Sequence, residues 1–403
     1  MPTARLPPQP WMSAPETHAV LAALTDGGTP VRFVGGCVRD ALAGRAVADV
    51  DLATPDAPDR VLDKLARAGI RAVPTGIAHG TVTALVGGRP FEITTLRRDV
   101  ATDGRRATVA FTDDWTADAA RRDFTINAIS ADPDGTLHDP FGGTADLAAG
   151  RVRFVGEPDR RLEEDHLRLL RFFRFHARYG RGPAEAAALD ACARWAPKLA
   201  ALSAERIRAE LLKLLGAPNP APTVATMLER RILAGVLPEI GSAATLAALV
   251  ALERPRGLAD PLRRLAALLP REPATLDAVA TRLRLSNAER TRLIASAAPA
   301  PPPAGLRAAL YRDGVEAVRD RLLLDAAEAP PPAAALDAAL AVVVRWQRPG
   351  FPLRGEDVTA LAVPAGPRVG ALLAAVEAWW IEGGFRADRD ACLAELRGRA
   401  ASS

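Results

Sequence analysis

Residues 32–55 read RFVGGCVRDALAGRAVADVDLATP, an order that restricts the fold more than any other stretch of the chain. A β-type run ends on two glycines, a short helical stretch begins at once, and the next β-type run carries Asp49 and Asp51. Gly35 and Gly36 fall where bare backbone can approach a phosphate, at a helix amino terminus that offers N–H donors and a favourable dipole. Arg39, in the first turn, adds a guanidinium suited to a triphosphate. Alternate residues of a strand share a face, so Asp49 and Asp51 point together while Val50 and Leu52 point into the core. Carboxylates roughly 6–7 Å apart on one strand can hold a pair of hard cations. Oxygen donors without His or Cys favour Mg²⁺ over zinc. Either half alone is ordinary, because Gly-Gly makes turns and alternating acids line solvated strands. Both together, at this spacing, describe a site for phosphates and metal.

The surrounding chain limits the setting. At 403 residues it exceeds one ordinary core, so two or more domains are expected. Hydrophobic residues make up 49% and charged residues 25%, a soluble globular composition. Lysine occurs only at 64, 198 and 213, so nearly all the basic residues are arginine. Arginine suits phosphate and base edges, but a GC-rich coding sequence produces the same bias, and composition leaves an acidic partner open. Three scattered cysteines and five histidines give no disulfide framework or zinc spacing, which fits a reduced, cytoplasmic protein. The start of the chain lacks the apolar core of a signal peptide, and no run of 18 apolar residues occurs, so no membrane association is expected.

Short β-type runs and glycine turns fill residues 31–150; from 151 onward leucine and alanine recur at helical spacing. A short helix is expected near 16–24, and Ser286 with Glu289 reads as a capping box. The triple prolines at 301–303 and 330–332 read as linkers.

The Gly-Gly-x-Val-Arg-Asp and Asp-x-Asp motifs resemble those of bacterial CCA-adding enzymes and poly(A) polymerases. The segments RRDFTINAIS (121–130), EDHLRLLRFFRFHARYG (164–180) and ERIRAELLKLL (205–215) resemble further motifs of that family, in the same order. The resemblance covers about 31–215 and implies an α/β nucleotidyltransferase head, a mixed sheet with helices, followed by an all-α neck, body and tail. The implied boundaries are an amino-terminal extension 1–30, head 31–150, neck 151–215, body 216–329 and tail 330–403. It implies that Asp49 and Asp51 hold the metals and that Gly36, Arg39 and Arg122 contact the nucleotide. Asp123 is implied to help read the ribose, and Glu92 is the candidate for a third carboxylate.

Asp165, Arg168, Arg171 and Arg174 recur every three residues, which predicts a ridge along one helix over 162–179. A carboxylate accepts from an exocyclic amine and a guanidinium donates to ring acceptors. An Asp165/Arg168 pair would therefore admit cytosine and adenine and disfavour guanine and uracil. The resemblance implies the same role, with Arg171 and Arg174 as further nucleotide contacts. The segment TGIAHGTVTALVGGRPFEITTLRRD (75–99) is similar to the CCA-adding version, and 99–120 resembles that family's flexible loop for switching from C to A. The expected activity is template-independent CCA addition to tRNA from CTP and ATP with Mg²⁺, through two-metal phosphoryl transfer. A poly(A) polymerase, or a non-catalytic RNA-binding protein on the same fold, are the alternatives. The tRNA is expected to be held at its 3′ end, acceptor stem and elbow, with Arg206/Arg208, Arg230/Arg231 and Arg263/Arg264 as clusters able to meet phosphates. No obligate protein partner is evident.

Overall fold

The computed structural model describes residues 5–102 and 107–401. A mixed sheet organises the first part. It is formed by β1 (Arg32–Val34), β2 (Val50–Thr54), β3 (Arg71–Gly76), β4 (Thr81–Val86), β5 (Arg89–Thr95), β8 (Ser130–Ala131) and β9 (Leu137–His138). Their order across the sheet is β3-β4-β5-β2-β1-β8-β9. The pair β2/β5 is parallel and the other pairs are antiparallel. A separate two-stranded sheet pairs β6 (Arg97–Thr102) with β7 (Ala107–Phe111). This hairpin occupies much of the 99–120 segment; residues 103–106 of that segment lie outside the described residues.

Period-two alternation divides the sheet. Phe33, Leu52, Val82, Ala84, Phe91 and Ile93 all point to one face and are buried. There they meet α1 (Pro15–Thr25), α2 (Gly36–Leu42) and α3 (Pro58–Arg67) through Val20, Val38 and Leu65. The chain before β1 belongs to this core: Trp11 packs edge-on to Phe33 at 4.8 Å between centroids. Asp51, Glu92, Thr94 and Thr81 are left on the opposite face, where the site forms.

The helices that follow are α4 (Trp115–Ala120), α5 (Gly143–Ala149), α6 (Pro158–Glu164), α7 (Leu167–Tyr179), α8 (Ala186–Trp195), α9 (Ala204–Leu215) and α10 (Ala221–Glu229). Phe124, between α4 and β8, is fully buried and packs on Phe154 (5.0 Å) and on Phe175 of α7 (5.2 Å). This apolar contact helps seat 121–130 against α7. The predicted single helix over 162–179 is broken. Asp165 is extended (φ −155°, ψ 107°) between α6 and α7, and its carboxylate accepts from the Leu167 amide at 3.1 Å.

Chain contacts divide the molecule into residues 1–241 and 242–403. The second unit is helical, and the Ser286–Glu289 capping box is present. Both triple-proline stretches lie inside this unit, one running into the 3-10 turn Pro303–Gly305 and one between helices Val315–Glu328 and Ala333–Arg345. Arg263 and Arg264 are 2% and 1% exposed, paired with Glu253 and, for Arg263, also with Asp320. Burial removes that pair from the arginines able to meet RNA phosphates. Among the described residues no helix is long and apolar enough to cross a membrane. All three cysteines are buried and free.

Candidate active site

Two neighbouring strands set the acidic wall. Asp51 of β2 and Glu92 of β5 are register partners, and Asp49 stands exposed just before β2. Burial, and then the charges of Glu92 and Asp49, push the Asp51 carboxyl up to about 6, against the pull of Arg122 and Arg39. Carboxylates that raise one another in this way are relieved by a bound cation. Among the described residues no three His, Cys, Asp or Glu side chains converge closely enough to hold an ion by themselves.

The turn into α2 is shaped by glycine. Gly35 has φ +67°, and a Cβ there would sit 2.9 Å from Nη1 of Arg122, so any side chain would be strained and would displace that arginine. Arg122 itself donates to the Asn127 carbonyl (3.3 Å) and pairs with Asp118 (3.4 Å). Burial pushes the Asp118 carboxyl up, but Arg121 and Arg122 outweigh this and hold it below the usual range. Arg39 donates to Asn127 Oδ1 (2.5 Å) and forks onto Asp40 (3.1 and 3.0 Å).

A cavity of about 530 Å³ joins these groups to α7. It brings together Gly36, Arg39, Asp51, Arg122, Asp165, Arg168 and Arg171 of the expected residues, with Glu92 in its wall. Asp49 and Arg174 do not line it. Arg174 lies further along α7, donating to Glu210 at 2.6 Å and stacking on Phe175. Seven arginines and four carboxylates line the cavity, a balance that suits a polyanion.

Asp165 and Arg168 face the cavity without bonding each other. Arg206 of α9 donates to both Asp165 oxygens (2.9 and 2.8 Å). Arg168 donates to Glu164 (2.5 Å) and to the carbonyls of Arg161 (3.3 Å) and Arg121 (3.0 Å). Asp123 accepts from Phe124 N and Asn127 on Oδ1 and from Arg171 Nε on Oδ2, with Arg171 Nη2 in ion-pair contact at 2.6 Å. Both Arg171 nitrogens meet the same oxygen, Oδ2, and through this pair Asp123 ties α7 to the head. Burial raises its carboxyl, but Arg171 and Asn127 outweigh this and hold it low.

Several working residues escape the sequence. Arg206, grouped with basic residues able to meet phosphate, is Asp165's partner. Glu210 gathers Arg174 at 2.6 Å and Arg171 at 3.9 Å. Their i,i+4 spacing on α9 was the available signal. Asn127 and Tyr179 lie within the motifs at 121–130 and 164–180, but their contacts there are not readable from the local pattern.

The family model for the poly A polymerase head domain matches residues 31–153, and one for a probable RNA and SrmB-binding site of polymerase A matches 185–243. The sheet, the cavity and this match define a nucleotidyltransferase. A mitochondrial CCA tRNA nucleotidyltransferase 1 of Mus musculus is 34% identical over 387 residues, covering 91% of this chain and 86% of that one. A CCA-adding enzyme of Streptococcus pyogenes is 40% identical over 211 residues, 52% of this chain and 51% of that one. The Bacillus stearothermophilus CCA-adding enzyme, solved with CTP, superposes with a TM-score of 0.79 at 29% identity, covering 98% of this chain and 99% of that one. The chain belongs to the CCA tRNA nucleotidyltransferase family.

Proposed function

We propose that this chain adds C, C and A in turn to the 3′ end of tRNA, from CTP and ATP and without a nucleic-acid template. The observation that carries the reading is the cavity, which joins the Asp51/Glu92 wall to Asp165 and Arg168 at one nucleotide-sized site. Gly36, Arg39 and Arg122 take the triphosphate, with Arg171 and, further along α7, Arg174 adding positive charge. Asp165 keeps one acceptor position on Oδ2, and three of Arg168's five donors are engaged, leaving two. One acceptor beside free donors matches an exocyclic amine next to a ring nitrogen, the edge that cytosine and adenine share.

The donor set at Asp49 and Asp51, with Glu92 beside them, fits Mg²⁺. That ion takes one or two carboxylates and fills its other positions with water and substrate phosphates. When bound, it supplies activation of the primer hydroxyl and neutralises developing charge on phosphate. The three buried free thiols suit a reducing, cytoplasmic setting.

Incubating the protein with Mg²⁺, CTP, ATP and a tRNA ending before CCA tests the reading. The expected product is longer by C, C and A and then stops growing. Long A-tails would reassign the chain to poly(A) synthesis, and no incorporation would leave an RNA-binding protein.

A further inference from the structure

Arg39 and Asp40 are adjacent on α2, a separation at which helical side chains diverge by about 100° and do not face each other. Yet Asp40 receives both Nε and Nη2 of Arg39, at 3.1 and 3.0 Å. Something outside α2 must hold the carboxylate in that place. The hydroxyl of Tyr179, the last residue of α7, donates to Asp40 Oδ1 at 2.5 Å. Its ring lies 4.6 Å from the Arg39 guanidinium carbon, with Phe175 on the same group at 5.1 Å. Arg39 is 9% exposed, so its orientation is set by these neighbours rather than by solvent.

We propose that Tyr179 is a positioning residue for nucleotide binding: through Asp40 it fixes the Arg39 guanidinium so that its unused donors face the triphosphate. The inference rests on the proposed role of Arg39. Three of the five Arg39 donors are taken, two by Asp40 and one by Asn127, which leaves two for the cavity. The direction of the Tyr179 bond is secure, because burial and the neighbouring Asp40 hold the phenol above its ordinary pKa despite Arg39. The phenol therefore stays protonated and donates. The same α7 carries Arg168 and Arg171, and Arg171 reaches Asp123, which bonds Asn127 and through it Arg39. The helix that faces the base thus grips the triphosphate arginine from two sides.

Tyr179→Phe removes the hydroxyl and keeps the ring on Arg39; Tyr179→Leu removes both. Calorimetric titration of the full chain with CTP and with ATP, in Mg²⁺, reads the effect. Tyr179→Phe is expected to weaken both nucleotides about tenfold, the scale of one hydrogen bond to a charged group. Preference for CTP and ATP over UTP and GTP should not change, and Tyr179→Leu should bind more weakly still. In an Arg39→Ala background, Tyr179→Phe should add nothing. Wild-type affinity in Tyr179→Phe, or an equal further loss in the Arg39→Ala background, overturns the inference. Undiminished CTP binding by Arg39→Ala alone overturns it too, and identifies the role of Arg39 as the step that failed.

Discussion

Arginine works under opposite conditions in the two units. In residues 242–403, Arg263 and Arg264 are buried and Glu253 receives one of them on each oxygen, at 2.7 and 2.6 Å. Asp320 receives Arg263 at 2.7 Å and Arg292 at 2.6 Å. In residues 1–241, Arg39 and Arg168 each keep two donors unused at a cavity, and Asp51 faces other carboxylates. The first arrangement is complete in itself. The second is short of a cation at one wall and of an anion at the other, and that shortfall is what a nucleotide with its metal would satisfy. A charge cluster announces a site when its members lack partners, not when it is dense.

Breaking the incomplete cluster should cost activity. Asp51→Asn is expected to lower nucleotide incorporation by about a thousandfold or more, the scale of losing metal-based charge stabilisation. It should also raise the melting temperature of the metal-free chain. The native Asp51 carboxyl is raised to about 6 from an ordinary 3.8, so its contribution is fully present below about pH 4 and is lost as pH rises through 6. Metal-free wild type should therefore lose stability across that window while Asp51→Asn does not, as melting curves in chelator would show. Breaking the complete cluster should cost stability alone. Glu253→Leu leaves two buried guanidiniums short of a partner and is expected to destabilise the second unit by about 3–5 kcal/mol. A lower urea midpoint with unchanged CTP affinity is the expected result; loss of CTP binding would erase the contrast. The smallest effect concerns choice. Asp165→Ala should lower the preference for CTP and ATP over UTP and GTP by about tenfold, within the 1–3 kcal/mol range of a good base contact, as read from single-turnover incorporation.

The sequence carried the head well because its signals are local. Glycines before a helix and alternate acids on a strand act within a few residues, and β2 buries Val50 and Leu52 as its alternation requires. Asp165 was misplaced for a local reason as well. A three-residue spacing says nothing about where a helix breaks, and the break sets Asp165 toward Arg206, 41 residues on. The roles of Asn127 and Tyr179 were not legible because their partners lie 88 and 139 residues away, distances at which no periodicity operates. The Arg263/Arg264 pair failed in the other direction. A run of basic residues looks the same whether it faces water or buried acids.

Burial of the Glu253 and Asp320 cluster has a practical side. Mobile ions at molar strength screen exposed charges within a few ångströms but hardly reach pairs closed off from water. RNA held by surface arginines, by contrast, dissociates steeply as salt rises. Washing in strong brine should therefore strip adventitious RNA from this protein while its helical half stays folded, giving clean material for every titration above.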